Sequence, residues 1–224
     1  MTKIENLKVL IISFILISLT FIVQAKDLKI AYLDLTDDPR YDENLIYARI
    51  QLKPTGRPLI AVKIAEEESK MMGDALGINF ILENFSFDNI DNLNNFINKN
   101  DENFIYIVDL STADLKNLNQ NISKEEVIIF NVSSNDNLLR NENCNKKIFH
   151  TIPSYNMLTD SLGQFLIKKN WKKVILLKGP HEEDIQFAQS FKNSSKKMGI
   201  QIVDEKDFIL SNDPREREQN NIAL

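Results

Sequence analysis

Short apolar runs that alternate with amphipathic helical stretches constrain the fold of this chain most. Strand-like runs recur at intervals of 25–30 residues over much of the sequence, and most are followed by a helical pattern. This alternation is typical of βαβ units, whose right-handed crossovers place helices on both faces of a parallel sheet. We therefore predict an α/β fold built on a doubly wound parallel sheet.

The pattern assigns each element a range. Runs of branched and aromatic residues predict strands over residues 28–35, 78–85, 104–110, 127–132, 148–152, 174–177 and 200–203. Apolar residues at helical spacing predict helices over residues 58–73, 90–99, 112–126, 155–169 and 182–198.

The distribution of these elements suggests one full lobe and the beginning of another. Four or five strands fall within residues 26–153, enough for a complete doubly wound sheet in an N-terminal lobe. Residues 154–224 hold only two strands, two helices and a charged tail, too few for an independent domain. We therefore expect a partial second lobe and a C-terminally truncated chain.

Residues 1–25 have the order of a secretory signal peptide. Lys3 and Lys8 precede an uncharged, mostly apolar run over residues 9–23, and the segment ends in Val23-Gln24-Ala25. The run is shorter than the ~20 residues of a membrane-spanning helix, and small residues occupy the positions that signal peptidase reads. We expect cleavage after Ala25 and a periplasmic protein; an uncleaved N-terminal anchor is the alternative.

Charge and residue counts exclude several functional classes. The chain has 27 Lys and Arg against 32 Asp and Glu, a net charge of −5, whereas nucleic-acid binding needs a basic face. One Cys and two His cannot build a closed zinc site, so no metal or other cofactor is expected. Cys144 lies in a polar loop, where it is either inert or an exposed thiol.

Catalytic motifs are not found in the sequence. Neither histidine belongs to HExxH, and no GxSxG elbow is present. The acids of His181-Glu182-Glu183-Asp184 could suggest metal ligands, but they are better explained by the positive end of a helix dipole. We therefore expect no enzymatic activity.

Polar side chains at the ends of three predicted strands indicate a binding site. Doubly wound sheets bind ligands beyond the carboxyl ends of their strands. Asp34 to Asp38 lie at the end of the first strand, Ser111 and Thr112 follow the third, and Ser133, Ser134 and Asn135 follow the fourth. Hydroxyl groups and backbone N–H groups at a helix start can hold a carboxylate, although the same residue types also serve as simple helix caps.

The order of these elements resembles the type I periplasmic binding proteins, the Leu/Ile/Val-binding group of ABC-transporter receptors. The resemblance is carried by residues 29–33 (KIAYL), 61–76, 130–139 (FNVSSNDNLL), 147–153 and 171–177 (WKKVILL). Shorter motifs, DDPRY at 37–41, GRPL at 56–59, HTIPS at 150–154 and MLTD at 157–160, resemble the branch associated with PQQ-dependent alcohol dehydrogenase systems.

This resemblance implies a monomeric receptor whose two lobes close on a small solute and which delivers it to a membrane permease. It implies a hinge near residues 151–154 and a carboxylate-gripping role for Ser111, Thr112 and Ser133 to Asn135. The family's usual ammonium ligands lie in the second lobe, so no residue is assigned to that role. Two alternatives stay open: an extracytoplasmic ligand-sensing domain and a flavodoxin-like exported enzyme.

Overall fold

The computed structural model describes residues 25–41, 56–100, 102 and 105–208. Apart from Ala25, the predicted signal peptide lies outside this part of the chain, as does the charged tail. Among the described residues, no helix is both long and apolar enough to cross a membrane.

The described chain contains two parallel sheets and five α-helices, which confirms the predicted α/β class. The strands are β1 (Lys26–Leu35), β2 (Ile78–Phe87), β3 (Ile105–Asp109), β4 (Ile128–Asn131), β5 (Ile148–His150), β6 (Lys173–Lys178) and β7 (Gln201–Asp207). The helices are α1 (Leu59–Leu76), α2 (Ile90–Lys99), α3 (Thr112–Asn121), α4 (Tyr155–Lys168) and α5 (Glu182–Met198). One sheet has the order β2-β1-β3-β4-β5, and the other pairs β6 with β7.

The hydrophobic core lies between one face of the five-stranded sheet and helices α2 and α3. Its fully buried members include Leu93 and Ile97 from α2 and Leu115 and Leu118 from α3. Alternate residues of the strands, such as Leu33 of β1, point into the same core. Because side chains alternate across a strand, the residues between them belong to the opposite face.

Helix α3 ends five residues earlier than predicted. Its last residue is Asn121, and the backbone is already extended at Ile122. The Oδ1 atom of Asn98, on α2, accepts hydrogen bonds from the backbone N–H groups of Ser123 and Lys124. These contacts take the chain away from helical geometry, so the predicted extension to residue 126 is wrong.

Helix α1 is far more exposed than its apolar spacing suggests. Helical spacing places Ile64 and Met72 on the apolar side of this helix, yet they are 51% and 60% exposed. The helix contacts edge strand β2 near Gly73, where an added Cβ would lie 2.5 Å from the carbonyl oxygen of Ile78. The helix therefore packs on β2 through a glycine, while these two apolar side chains lie at the surface.

A second, smaller unit follows the crossover after β5. Helices α4 and α5 pack together, and the Oγ1 atom of Thr159 lies 2.9 Å from the Oγ atom of Ser194. Ser194 also donates to Asp160, which accepts a further bond from Lys197. These polar contacts join the two helices beside the two-stranded sheet.

Candidate functional site

The strand order places a topological switch point between β1 and β3. The chain leaves β1 for β2 on one side and returns to β3 on the other, so the two connections diverge. Asp34 and Asp109 are paired in the parallel register at the carboxyl ends of these two strands. Ligands of open α/β sheets bind at such a divergence.

Asp109 is the centre of a buried hydrogen-bond network at this point. Its carboxylate is fully buried and accepts bonds from the hydroxyl groups of Tyr32 at 2.9 Å and Tyr41 at 2.8 Å. Arg40 donates to it from Nη2 at 3.0 Å and to the carbonyl oxygen of Leu110 from Nη1 at 3.1 Å. The buried carboxylate is thereby both paired and hydrogen-bonded, as a buried charge requires.

Arg57 pairs with the buried carboxylate of Asp34, as Arg40 does with that of Asp109. Its Nη1 atom donates to the Asp34 carboxylate at 2.8 Å and to the carbonyl oxygen of Leu35 at 2.9 Å, and Nη2 donates to that of Thr36 at 3.0 Å. Arg57 therefore binds the carboxyl end of β1. Among the residues that the structure describes, none bonds to the buried Oδ1 atom of Asp34.

The two arginines also share one aromatic ring. The guanidinium carbons of Arg40 and Arg57 lie 5.2 Å and 4.8 Å from the centroid of the Tyr41 ring, within cation–π range. We call the following six residues the switch-point cluster: Asp34, Asp38, Arg40, Tyr41, Arg57 and Asp109. The cluster fastens both ends of the β1–α1 connection over the carboxyl edge of the sheet.

Electrostatics keep Asp38 and Arg40 of this cluster ionised. Burial tends to raise the pKa of Asp38, but its hydrogen bonds with Arg40 outweigh burial and lower it below the usual value. Burial opposes the charge of Arg40, yet the bond to Asp38 and the charge of Asp109 raise its pKa. Burial and the neighbouring Asp109 raise the pKa values of Tyr32 and Tyr41, so both phenols are neutral at physiological pH.

Four of the predicted site residues meet between the ends of β3 and β4. The Oγ1 atom of Thr112 lies 2.7 Å from the Oγ atom of Ser134. Ser133 bonds to both backbone groups of Leu110 at 3.0 Å. Ser111 caps α3: its Oγ atom accepts from the backbone N–H of Asp114 and donates to the Asp114 carboxylate at 2.6 Å. We call these four residues, Ser111, Thr112, Ser133 and Ser134, the hydroxyl cluster.

Asn135 is directed towards the crossover instead. Its Nδ2 atom donates to the carbonyl oxygen of Pro153 at 2.6 Å, and its own carbonyl oxygen accepts from the backbone N–H of Tyr155. The preceding loop is held by Asn131, whose Oδ1 atom accepts from the backbone N–H groups of Ser133 and Ser134. Asn135 therefore links the hydroxyl cluster to the predicted hinge.

Arg40, Tyr41 and Arg57 received no role from sequence reasoning. They fall in two of the short motifs, DDPRY and GRPL, at opposite ends of the long β1–α1 connection. That motif content was the available signal, but their convergence depends on the β1–β3 register. Within the described residues no group of three or more His, Cys, Asp or Glu side chains could hold a metal ion. The backbone N–H of His181 donates to the Asp184 carboxylate at the start of α5.

A sequence profile described as periplasmic binding protein matches residues 98–213, just over half of the 224-residue chain. The chain belongs to the periplasmic binding protein family. The match includes the hydroxyl cluster, Asn135 and the crossover, whereas five of the six members of the switch-point cluster precede it and only Asp109 lies within it. No curated protein matches the sequence.

Solved structures share the fold at low sequence identity. An ABC transporter substrate-binding protein from Desulfitobacterium hafniense aligns with a TM-score of 0.61 and 12% identity, covering 86% of this chain and 53% of its own; it is also solved in complex with Leu. A branched-chain amino acid ABC transporter protein from Thermus thermophilus with bound valine has a TM-score of 0.53 and 16% identity, covering 81% and 46%.

A solute-binding protein of an ABC transporter from R. palustris, in complex with benzoate, aligns with a TM-score of 0.54 and 13% identity, covering 86% and 51%. The chain therefore spans about half the length of the solved structures that it matches.

Proposed function

We propose that this protein is an exported solute receptor of an ABC-type importer, which binds a small carboxylate-bearing molecule without transforming it. The observation that carries the proposal is the hydroxyl cluster, which lies at the start of α3 beside the switch point. Hydroxyl and backbone N–H donors at a helix N-terminus favour a bound anion. After removal of residues 1–25, the receptor would lie in the periplasm. Its partners would be the solute and a permease in the membrane.

The ligands of the structural neighbours are consistent with this chemistry. Leucine, valine and benzoate, named for three of those proteins, all carry a carboxylate. In this chain the carboxylate of Asp114 already bonds to Ser111 at the start of α3. A solute carboxylate would therefore exchange with Asp114 or bind beside it through Thr112 and Ser133.

Hinge closure would follow from the contacts of the loop after β4. Asn135 bonds to the carbonyl oxygen of Pro153, and Arg140 donates to that of Ile152 at 2.8 Å. A solute that draws on Ser133 or Ser134 acts on the same loop, so binding can bias the angle of the crossover near residues 151–154. Closure requires the solute to bind the closed state more tightly than the open one.

A link to PQQ-dependent alcohol oxidation is the more specific part of the proposal. It is supported by the motifs DDPRY and GRPL, whose residues Asp38, Arg40, Tyr41 and Arg57 converge in the switch-point cluster. Short alcohols, aldehydes and their carboxylates therefore belong in the ligand panel beside amino acids.

Titration calorimetry on the protein, expressed from its full sequence and purified after export, tests the proposal. The panel is leucine, valine, benzoate, acetate, acetaldehyde and ethanol. We expect one carboxylate to bind, and Ser111→Ala combined with Ser134→Ala to weaken it about tenfold or more, since two donors are removed. Ser123→Ala, at an exposed position after α3, is the matched control and should bind as the parent does.

Circular dichroism of the double variant separates lost binding from lost folding. A folded double variant with unchanged affinity would refute the assignment of solute binding to the hydroxyl cluster. A panel without any binding would refute the carboxylate-receptor proposal.

A further inference from the structure

An apolar groove lies at the amino edge of the five-stranded sheet, opposite the candidate site. Its volume is about 510 Å³, and most of its apolar lining lies near the amino ends of four adjacent strands. These residues are Leu28 of β1, Ile105 of β3, Ile128 of β4 and Phe149 of β5. Ile128 and Phe149 are 43% and 51% exposed. Single exposed apolar residues are common, whereas apolar residues grouped along four strands offer a surface on which another apolar surface can pack.

Charged residues of both signs border this amino-edge groove. Glu125 and Glu126 precede β4, and Lys146 and Lys147 precede β5. Both glutamates and Lys146 are exposed, while the Nζ atom of Lys147 donates to the carbonyl oxygen of Lys124 at 2.7 Å. The groove therefore combines an apolar floor with one acidic pair and one basic pair on its rim.

We propose that the amino-edge groove is a two-fold interface between two copies of this chain. A two-fold axis places the same patch on both partners, so a surface with one acidic and one basic pair is complementary to itself. The glutamates of one copy then face the lysines of the other, and Ile128 and Phe149 of both copies pack in the centre. This pairing replaces the monomer expected from the sequence.

The location of the groove makes this pairing compatible with solute binding. The groove lies at the amino ends of the strands, whereas the switch-point cluster and the hydroxyl cluster lie at their carboxyl ends. Two copies joined in this way leave both candidate sites open. The inference therefore stands or falls independently of the proposed function.

Sedimentation equilibrium of the protein, expressed from its full sequence and purified after export, tests the inference. We expect twice the mass of one chain at about 100 µM, where even a weak dimer is largely formed. Phe149→Glu should yield a folded monomer, because each copy then places a charge in the apolar centre. Met71→Glu is the matched control, since Met71 is an 83% exposed apolar residue on α1, and it should leave the dimer unchanged.

A charge exchange tests the orientation of the two copies. Glu126→Lys and Lys146→Glu should each weaken association about tenfold, since each change occurs twice and places like charges opposite each other. The double variant restores opposite charges and should recover dimerisation. A monomeric parent protein, assemblies larger than two copies, or a dimer insensitive to Phe149→Glu would each overturn the inference.

Discussion

At the scale of single residues, the pairing of Arg57 with Asp34 supplies a cation to a buried carboxylate of the switch-point cluster. Asp34 is 3% exposed, and Arg57 is its one charged partner among the described residues. Replacing Arg57 by Gln leaves that buried charge without its cation. We expect urea denaturation to show a loss of about 2–4 kcal/mol, somewhat below the cost for a fully buried pair because Arg57 is partly exposed.

Two controls separate this effect from a general loss of charge. Lys29→Gln removes the partner of Glu102 in an exposed ion pair, and it should lower the free energy of unfolding far less than Arg57→Gln does. Asp34→Asn together with Arg57→Gln should cost less than the sum of the two single changes, since the double variant has no unpaired charge. Additive costs would contradict the pairing argument.

We expect His150 to make the loop after β4, which carries part of the hydroxyl cluster, sensitive to pH. Asn131 uses its Oδ1 atom to accept from Ser133 and Ser134, so its Nδ2 atom is the donor to Nδ1 of His150 at 2.9 Å. This bond requires neutral imidazole. Burial, and then the charge of Arg140, lower the pKa of His150 below its usual 6.5.

The sign of the effect follows from this depressed pKa. Above about pH 6.5 the histidine is neutral in both folded and unfolded chains, and its contribution to stability is complete. As the pH falls below that value, the unfolded chain takes up the proton first, and stability declines towards the folded pKa. Denaturation midpoints measured from pH 7.5 to 5 should fall in the parent and in His181→Asn, but much less in His150→Asn. Equal slopes in all three would contradict the assignment.

At the scale of elements, the contact between α1 and β2 depends on the absence of a side chain at Gly73. A Cβ there would meet the Ile78 carbonyl oxygen at 2.5 Å and the Phe80 ring at 3.2 Å. Gly73→Ala should therefore lower the free energy of unfolding by about 1–3 kcal/mol, despite the better helix propensity of alanine. Gly56→Ala, where nothing lies within 4 Å, should change it by less than about 0.5 kcal/mol. A stabilised Gly73→Ala would show that α1 moves freely against the sheet.

Elements whose limits are set locally were predictable from the sequence. The bounds of α2 and α5 agree with the prediction, because Asn89 caps the first and Gly199, with φ of 68°, ends the second. The end of α3 was not predictable, because Asn98 fixes it from a position on another helix. The placement of the hydroxyl cluster at the ends of β3 and β4 was predictable, because its residues directly follow two strand-like runs in the sequence. The partners of Arg40 and Arg57 depend on which strands are neighbours, and the local pattern carries no such information.

At the scale of the whole molecule, one side chain bridges the five-stranded sheet and the second unit. Asn137, in the loop after β4, donates to the Oγ atom of Ser190 on α5 at 2.8 Å and accepts from the backbone N–H of Asn156 at the start of α4. Without it, the contacts of Asn135 and Arg140 would still hold the crossover, but the direct bond to α5 would be lost. Asn137→Ala should therefore loosen the second unit selectively.

Amide hydrogen exchange measures this coupling at the scale where it acts. In Asn137→Ala we expect faster exchange in β6, β7 and α5, while β1, β3 and the core helices keep their protection, because local openings follow cooperative units. Ser195→Ala removes only a bond within α5, to the carbonyl oxygen of Lys192, and should leave the pattern unchanged. Uniformly faster exchange in both sheets would mean that the two sheets unfold as one unit, and that the loop after β4 contributes to general stability rather than to a hinge.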